Sequence, residues 1–319
     1  MLPLKFTDDV NVYGEVFYNN LEQSTLRRWW SHIRNRCCTF EHYFKTGEKQ
    51  MKLGYQTNTW GGVVGHPAGV TSIKDLYYLA NGSTEEALKE ISEAGYDGFE
   101  LFDGNLMQYK SNKDEFTSLL EKYKLTLIGV YTGGNFIYPD VLQEELAKIE
   151  EVAAFAAELG ARHLVIGGGA VRSTGILESD YEDLGKALNQ VKEIAEKHRL
   201  IPTYHPHLGT NVEAPDQLDK LMPLTTIGLC PDTAHIEAGG GDPVEVVRKY
   251  ADRIKYIHFK DYADGEFLPL GKGNQKFDEM IRLLNEAGYD DWITVELDSY
   301  DVPKQGAEIS RSFLSSFEK

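Results

Sequence analysis

From residue 51 onward, short runs of apolar and β-branched residues alternate with longer runs in which apolar residues recur every three or four positions. The short runs are typical of buried strands and the longer runs of amphipathic helices. Eight strands are predicted, at Lys52–Thr59, Gly98–Phe102, Thr126–Tyr131, His163–Ile166, Ile201–His205, Thr226–Cys230, Lys255–Phe259 and Trp292–Leu297. The clearest helices between them are predicted at Glu85–Ala94, Leu142–Leu159, Asp183–His198, Pro243–Tyr250 and Phe277–Ala287.

Strands that alternate with helices predict a parallel sheet covered by helices, an α/β fold. Eight such units in residues 51–319 match the usual size of a (β/α)8 barrel, the TIM barrel. Residues 92–100 and 285–293 repeat one pattern, in which a helix end, a glycine and a turn precede a strand. A doubly wound sheet is the alternative, but residues 57–62 do not form the glycine-rich phosphate loop typical of that fold.

The first fifty residues do not follow this alternation. Residues 21–49 show no helical or strand periodicity, and the segment includes two of the three cysteines. The sequence therefore predicts an N-terminal extension, residues 1–50, before a catalytic barrel domain, residues 51–319. Because Met51 directly precedes the first predicted strand, we hypothesise that the natural start is Met51 and that the extension reflects a misassigned start. A genuine, loosely ordered extension is the alternative.

Charge and composition narrow the class of function. The chain has 50 acidic residues against 33 lysines and arginines, a formal net charge of −17, which argues against a nucleic-acid partner. It has no apolar run long enough to span a membrane and no secretory signal at its start, so no membrane partner is expected. Three cysteines form no disulfide framework and suit a reducing compartment, so we expect a cytoplasmic protein. The sequence does not determine the oligomeric state, and a homo-oligomer is compatible with it.

Histidines and carboxylates gather at the ends of the last four predicted strands, where the working residues of a TIM barrel stand. The candidates for metal ligands are His205, Asp232, His258 and Glu296, one for each strand. Imidazole and carboxylate suit manganese, cobalt, zinc or iron, and ligand type alone does not choose among them. The alternatives are a loop-capping role for Asp232 and an exposed strand-end position for Glu296. Because Glu296 alternates with two apolar residues, it is expected to point into the barrel, where an acid needs a partner.

The same strand ends supply candidate catalytic residues. Glu296 is the candidate base, and His207 and His235 are candidate acids because histidine exchanges protons near neutral pH. Lys260 is predicted to orient a substrate oxygen, and the alternative is a surface lysine that pairs with Asp261.

Two residues at the ends of the first two strands are candidates for substrate binding. Trp60 is predicted to pack on the apolar face of a sugar-like ring, with core packing as its alternative. Glu100 is predicted to bind substrate hydroxyls, with turn stabilisation as its alternative.

Four motifs in the second half of the chain resemble the xylose-isomerase-like TIM barrels. They are Tyr204-His-Pro-His-Leu-Gly-Thr, Gly228-Leu-Cys-Pro-Asp-Thr-Ala-His, His258-Phe-Lys-Asp and Leu270-Gly-Lys-Gly-Asn. The resemblance covers most of residues 51–319 and is densest between residues 200 and 300. Within this superfamily, the His-x-His-x-Gly-Thr run is most similar to the inosose (2-keto-myo-inositol) dehydratases.

The resemblance implies a metal-dependent hydro-lyase of inositol catabolism, which dehydrates a cyclic polyhydroxy ketone through an enediolate. It favours Mn²⁺ or Co²⁺ as the cofactor, with Zn²⁺ as an alternative, and a small polyol ketone as the partner. A ketose or sugar-phosphate epimerase or isomerase with the same metal site is the alternative function. An apurinic-site endonuclease would need a richer zinc cluster and a basic face. A non-catalytic sugar-binding barrel would be expected to have lost Asp232 or Glu296.

This sequence departs from the superfamily pattern at two positions. His205 stands where ketose epimerases usually carry a second catalytic glutamate, and this puts epimerisation in doubt. The fourth predicted strand ends in Gly167-Gly168-Gly169, where dehydratase relatives tend to carry an acid. The identity of the fourth metal ligand therefore stays open at this point.

Overall fold

The computed structural model describes residues 51–61, 65–66, 70–71 and 77–317. The predicted N-terminal extension, residues 1–50, lies outside these residues, so the hypothesis about Met51 stays a prediction.

Eight parallel strands form one sheet that closes into a barrel. In chain order they are β1 (Lys52–Gln56), β2 (Gly98–Phe102), β3 (Thr126–Gly133), β4 (His163–Gly167), β5 (Ile201–Tyr204), β6 (Gly228–Leu229), β7 (Ile257–Phe259) and β8 (Trp292–Val295). They pair in the order β6-β5-β4-β3-β2-β1-β8-β7. Two parallel bridges, Leu229 to Ile254 and Asp232 to His258, join the ends of this order. The predicted TIM barrel is confirmed, and the doubly wound alternative is wrong.

Ten α-helices lie in the described part of the chain, most of them between successive strands. They are α1 (Thr84–Glu93), α2 (Asp103–Met107), α3 (Lys113–Tyr123), α4 (Pro139–Glu158), α5 (Glu178–Lys197), α6 (Pro215–Leu221), α7 (Thr233–Ala238), α8 (Pro243–Tyr250), α9 (Phe277–Glu286) and α10 (Pro303–Leu314). All five predicted helices are present. No helix within the described residues combines the length and apolar character that a membrane span requires.

Helix α5 begins earlier than predicted, because the Asp180 side chain accepts a hydrogen bond from the backbone N–H of Leu177 at 2.9 Å. The carboxylate thereby satisfies a donor at the start of the helix, where helical N–H groups lack internal partners. Five helices were not among those predicted. Of these, α3 and α10 have 11 and 12 residues, while α2, α6 and α7 have only five to seven residues, too few for a helical period to be recognised.

Apolar side chains fill two separate layers on the two faces of the barrel sheet. Successive residues of a strand point to opposite faces, so one set meets the helices and the other fills the barrel. The outer layer joins strands to helices and includes Leu53, Phe99, Val130, Leu164, Ile257, Leu88, Ile149, Leu188 and Leu284. The inner layer consists of Ala80, Phe102, Ile128, Tyr131, Val165, Cys230 and Tyr256. Beyond this inner layer, the polar residues at the carboxyl ends of the strands form the next layer of the barrel interior.

Candidate active site and metal centre

The four predicted metal ligands come together at the carboxyl end of the barrel. His205 directly follows β5, His258 is the middle residue of β7, and Glu296 directly follows β8, while Asp232 begins helix α7 just after β6. One ligand atom from each residue can be chosen so that all four lie within 4.8 Å of one another. All four side chains are buried. Neighbouring strands thus present two imidazoles and two carboxylates to one point, a donor set that suits a divalent cation.

Asp232 serves two purposes with its two oxygens. Its Oδ1 accepts hydrogen bonds from the backbone N–H groups of Ala234 and His235 at 2.8 and 2.9 Å, which caps helix α7. Its Oδ2 lies 3.0 Å from the Nζ of Lys260. The capping role and the metal-site role are therefore compatible, because the cap fixes the carboxylate so that its second oxygen faces the site.

Thr233 joins the strand ends that carry Asp232 and His258. Its hydroxyl donates to the backbone carbonyl of Lys260 at 2.8 Å and accepts from the Lys260 backbone N–H at 3.0 Å. The Asp-Thr-x-His and His-x-Lys-Asp motifs are therefore one unit in space, in which the threonine sets the separation of the functional side chains.

His205 has the environment expected of a metal ligand. Its side chain is buried, and neither ring nitrogen has a hydrogen-bond partner among the residues that the structure describes. Buried polar atoms are rarely left without a partner, so a bound group at this point would account for them. Burial, and then the neighbouring His258, hold the pKa of His205 well below its usual value. The ring is therefore neutral and offers a lone pair.

Glu100 contacts His258 rather than occupying a substrate position at the rim. Its Oε2 lies 3.0 Å from Nε2 of His258, and its Oε1 accepts from the side-chain amide of Gln56 at 3.4 Å. On the other side of the ring, Nδ1 of His258 lies 2.6 Å from Oε2 of Glu296. The predicted substrate role of Glu100 is therefore corrected. Strand β2 directs it into the barrel, where it orients His258 as outer-shell carboxylates orient metal-binding histidines.

The end of β4 has no room for the acidic side chain that dehydratase relatives tend to carry there. A Cβ atom at Gly167 would lie 1.7 Å from the hydroxyl oxygen of Tyr131, so the ring of Tyr131 occupies the space that a side chain there would need. The same ring meets His205 edge to face, with centroids 5.4 Å apart. In the described structure, the imidazole after β5 completes the set of four candidate ligands, and β4 supplies none of them.

Lys260 is buried at the centre of the site. Its Nζ lies 3.0 Å from Oδ2 of Asp232, 3.1 Å from Oδ1 of Asp298 and 3.3 Å from Oε1 of Glu296. It also lies 3.2 Å from Nε2 of His235. Burial opposes the charge of the ammonium, but the surrounding carboxylates outweigh it and raise the pKa of Lys260. Lys260 is therefore a charged donor inside the site.

The alternative that paired Lys260 with Asp261 is wrong. The Asp261 carboxylate instead accepts backbone N–H groups from the loop that follows it, those of Tyr262, Gly271, Gly273 and Gln275. These bonds hold the segment that contains the Leu270-Gly-Lys-Gly-Asn motif.

The hydrogen bonds of His207 and His235 fix which nitrogen of each ring carries the proton. Nδ1 of His207 lies 2.8 Å from the carbonyl of Leu208, and a carbonyl only accepts, so Nδ1 is the donor and Nε2 keeps its lone pair. Nε2 of His235 faces the Lys260 ammonium, so Nε2 accepts and Nδ1 carries the proton. The ring centroids are 3.8 Å apart. Burial lowers the pKa of both histidines, so both rings are neutral.

Trp60 lies away from the site, and its predicted substrate role is corrected. Its indole N–H donates to Oε2 of Glu90, on helix α1, at 2.6 Å. Its ring meets Tyr55 edge to face at 5.5 Å within the outer apolar layer. Trp60 points toward the helices because β1 ends at Gln56 and is followed by a 3-10 turn at Thr57–Thr59.

Two site residues received no role from the sequence. Asn58, which is buried, donates from Nδ2 to Oε1 of Glu296 at 3.2 Å and to Oδ1 of Asp298 at 3.4 Å. Asp298 lies in the same strand-end run as Glu296, and this position could have identified it as a site residue. A single asparagine after a strand is usually a turn residue, so Asn58 gave no comparable signal.

The charges of the site favour a cation. Burial opposes ionisation of Glu296, but Lys260 and His258 outweigh it and hold its pKa well below the usual value. Burial also raises the pKa of Asp232, to about 7, although Lys260 opposes that shift. Burial opposes protonation of His258, but Cys230, Glu100 and Glu296 outweigh it and raise its pKa. Four carboxyl groups, those of Glu100, Asp232, Glu296 and Asp298, thus lie around the ammonium of Lys260, the imidazole of His258 and three neutral imidazoles.

Residues 88–317 match the family described as xylose isomerase-like TIM barrel. The chain belongs to this family. An inosose dehydratase of Clostridium beijerinckii is 28% identical over 265 residues, which cover 72% of this chain and 87% of that protein. An inosose dehydratase of Geobacillus kaustophilus is 28% identical over 247 residues, covering 66% of this chain and 79% of that protein. The resemblance inferred from the motifs is confirmed.

Solved structures in this fold superpose over most of the barrel. The IOLI protein with a bound zinc atom has a TM-score of 0.65 and 17% identity, and the match covers 83% of this chain and 97% of that one. The probable 3-DHS dehydratase AsbF from Bacillus anthracis has a TM-score of 0.64 and 16% identity, and the match covers 83% of this chain and 99% of that one. At this identity, the similarity to both structures shows the fold alone.

Proposed function

We propose that this xylose isomerase-like barrel is a metal-dependent hydro-lyase that removes water from a cyclic polyhydroxy ketone of the inosose type. The observation that carries the proposal is the convergence of His205, Asp232, His258 and Glu296 beside two neutral imidazoles and a charged lysine. The relatives named inosose dehydratase support the choice of an inosose such as 2-keto-myo-inositol as substrate.

The divalent cation would be held by His205, Asp232, His258 and Glu296. It would supply Lewis-acid chemistry, polarising the ketone and making the adjacent C–H group more acidic. Mn²⁺ or Co²⁺ is the favoured ion, and Zn²⁺ suits the same ligands. The lack of hydrogen-bond partners on either His205 nitrogen, within the described part of the chain, supports this use of the ring.

Glu296 is the proposed base that removes the proton next to the ketone. It is ionised, because Lys260 and His258 lower its pKa. Its two oxygens have different neighbours: Oε2 faces His258, while Oε1 faces Lys260 and Asn58. The fixed carboxylate therefore needs little reorganisation when it accepts the proton. Loss of the proton converts the ketone and its neighbouring carbon into an enediolate.

His235 is the proposed donor to the departing hydroxyl. Lys260 fixes the proton of the ring on Nδ1, and this atom has no hydrogen-bond partner among the described residues. Nδ1–H is thus available to the hydroxyl, which leaves as water, while the Lys260 ammonium offsets the charge that develops on the ring. The proton taken by Glu296 then replaces the one that His235 gave. His207 presents the lone pair of Nε2 and accepts from a neighbouring substrate hydroxyl.

The geometry favours elimination over epimerisation. Inverting a carbon requires a proton to leave on one face and return on the other, which calls for a base on each side. In the described structure His205 is a neutral ring with a lowered pKa, and it lies among the ligands rather than opposite Glu296. One carboxylate base and one histidine donor are sufficient for loss of water.

The test is a substrate screen with the metal controlled. Inososes and ketoses are incubated with enzyme stripped by a chelator and reloaded with Mn²⁺ or Co²⁺, and the absorbance of a conjugated dione is followed. We expect activity on an inosose that is lost on chelation and restored by either ion. In deuterated water, deuterium exchange or inversion of a ketose without loss of water would instead favour the epimerase alternative. Full activity without metal would refute the proposal.

A further inference from the structure

Asn58 and Asp298 each keep an oxygen without a hydrogen-bond partner inside the site. The unpartnered atoms are Oδ1 of Asn58 and Oδ2 of Asp298, and the structure gives neither a donor from the described residues. Asn58 has no exposed surface and Asp298 is 7% exposed. Atoms at this depth in a folded protein almost always have a partner. The two oxygens therefore point to a group that the polypeptide itself does not supply.

The chemistry of the neighbours fixes the orientation of the Asn58 amide. Its nitrogen lies 3.2 Å from Oε1 of Glu296 and 3.4 Å from Oδ1 of Asp298. Carboxylates only accept hydrogen bonds, so the NH₂ group must face them and the amide oxygen must face away. Both free atoms, on Asn58 and on Asp298, are therefore acceptors.

The donors of Lys260 and of the Asn58 amide are already in use. The Lys260 ammonium has three N–H bonds and four acceptors within 3.3 Å, on Asp232, Asp298, Glu296 and His235. Both N–H bonds of the Asn58 amide point to carboxylates. Acceptors thus outnumber donors on this side of the site, and a bound molecule has to bring hydrogen-bond donors with it.

We propose that Asn58 and Asp298 form a subsite that recognises substrate hydroxyl groups by accepting hydrogen bonds from them. The two side chains are in direct contact with each other, and both contact or adjoin Glu296, the proposed base, so the hydroxyls belong to the same ring as the reacting carbon. An uncharged polyol suits these atoms, whereas a phosphate or a carboxylate offers only acceptors and is disfavoured. This inference rests on the proposed function, because it identifies the residues with which the proposed dehydratase binds substrate hydroxyls.

Sites that hydrogen-bond a substrate hydroxyl discriminate strongly against analogues that lack it, since their buried polar groups are then left unpaired. The substrate selectivity of this barrel is therefore expected to come from these two residues, which follow strands β1 and β8, as well as from the candidate metal ligands. Asn58 and Asp298 are specificity-determining residues, and their loss is expected to remove selectivity and not only activity.

The experiment pairs deletions in the protein with deletions in the ligand. Binding of myo-inositol and its monodeoxy derivatives to the Mn²⁺-loaded full-length enzyme is measured by calorimetry, and turnover of the matching inososes by dione absorbance. For the wild type, we expect loss of one particular hydroxyl to weaken binding at least about tenfold. In D298A the ratio of the Kd of that deoxy derivative to the Kd of myo-inositol should fall below about twofold, because the partner of the hydroxyl is gone. In N58A the corresponding ratio for a neighbouring hydroxyl should fall in the same way.

Controls separate recognition from folding. D298N keeps the shape of Asp298 and an oxygen for Lys260, and it should lose the same discrimination. It therefore replaces D298A in the comparison if D298A folds poorly. N112A removes an exposed asparagine outside the site, which contacts Glu115, and should keep the wild-type ratios. Thermal unfolding is recorded for every variant, and only folded variants are compared.

The outcomes are distinct for the two proposals. Turnover of an inosose with hydroxyl discrimination that D298A, D298N and N58A leave intact would overturn the subsite and leave the dehydratase standing. Discrimination among polyols that these variants abolish, without turnover of any inosose, would support the subsite and overturn the dehydratase. If no polyol binds the wild type, the subsite is overturned as well.

Discussion

The two ends of the barrel each bury a histidine beside a carboxylate, yet the two pairs differ in how they are completed. At the amino end, Nε2 of His163 lies 3.0 Å from Oδ1 of Asp291, and the ring stacks on Tyr256 with centroids 4.5 Å apart. Asp291 also pairs through Oδ2 with Arg162 at 2.9 Å and accepts the backbone N–H of Trp292. The carboxylate therefore has protein partners on both oxygens and a cation beside it.

At the carboxyl end, His258 lies between two carboxylates, and Asp232 and Asp298 add two more around a single lysine. Several of their oxygens, and both nitrogens of His205, lack hydrogen-bond partners among the described residues. The chain itself thus satisfies the carboxylate at the amino end, where only Nδ1 of His163 lacks a partner among the described residues, while several atoms at the carboxyl end would be completed by the proposed cation and substrate. Perturbed ionisable groups that gather in one place are typical of functional sites.

The largest effect is expected from Glu296→Gln at the carboxyl end. It removes the proposed base while keeping the size of the side chain, so turnover should fall by a factor of about 10²–10⁴ at saturating metal. The measurement is the rate of dehydration together with solvent deuterium exchange at the α-carbon, and both should fall. Continued exchange at the wild-type rate would show that another group removes the proton.

Glu100→Gln tests whether the carboxylate behind His258 acts through the metal site. Because Glu100 orients the imidazole, the substitution should weaken Mn²⁺ affinity by about 10–100-fold, with less effect on turnover once metal is saturating. Metal titrations monitored by activity and by thermal unfolding provide the measurement. Glu115→Gln, on the exposed surface of α3, is the matched control. If the substitution instead raised KM at saturating metal, the result would support the original prediction that Glu100 binds substrate hydroxyls.

Asp291→Asn breaks the pair at the amino end and should affect stability rather than chemistry. Loss of the partner of His163 and Arg162 should cost about 1–3 kcal/mol of unfolding free energy, with turnover unchanged. Urea unfolding of both proteins, along with kinetic assays, measures the two effects. A large drop in turnover without loss of stability would contradict the division between the two ends.

The same variant has an expected pH dependence. Burial alone raises the pKa of Asp291, but the hydrogen bond and charge of His163, together with Arg162, outweigh it and lower the pKa. A lowered folded-state pKa stabilises the fold above the unfolded-state pKa, and this contribution is lost as pH falls through the folded-state value. The difference in stability between wild type and Asp291→Asn should therefore be full near neutral pH and shrink below about pH 4.

Trp60→Phe is expected to have the smallest effect. Phenylalanine keeps the edge contact with Tyr55 and loses only the hydrogen bond from the indole to Glu90, a cost of about 1 kcal/mol. KM and kcat should not change, because the ring lies in the outer layer and not at the site. Thermal unfolding and steady-state kinetics decide the matter, and a clear rise in KM would contradict the position of Trp60 described above.

The sequence by itself determined the order of strands and helices, the barrel and the four candidate ligands. Hydrophobic periodicity is local, and polar residues that follow predicted strands are placed at one end of a parallel barrel by the topology alone. For this reason His205, Asp232, His258 and Glu296 could be grouped although they are far apart in the chain. The motif Asp-Thr-x-His also marked Asp232, but not that one oxygen caps a helix while the other faces the site.

The tertiary structure alone decided the directions and partners of the side chains. Trp60 follows β1 and Glu100 is the middle residue of β2, and a 3-10 turn directs the first outward while the strand pleat directs the second inward, under His258. Lys260 precedes an acid in sequence, but it pairs with carboxylates from other strands. Asn58 gained its neighbours only when β1 and β8 paired. These features depend on contacts between residues distant in the chain, which no local pattern of hydrophobic and polar positions encodes.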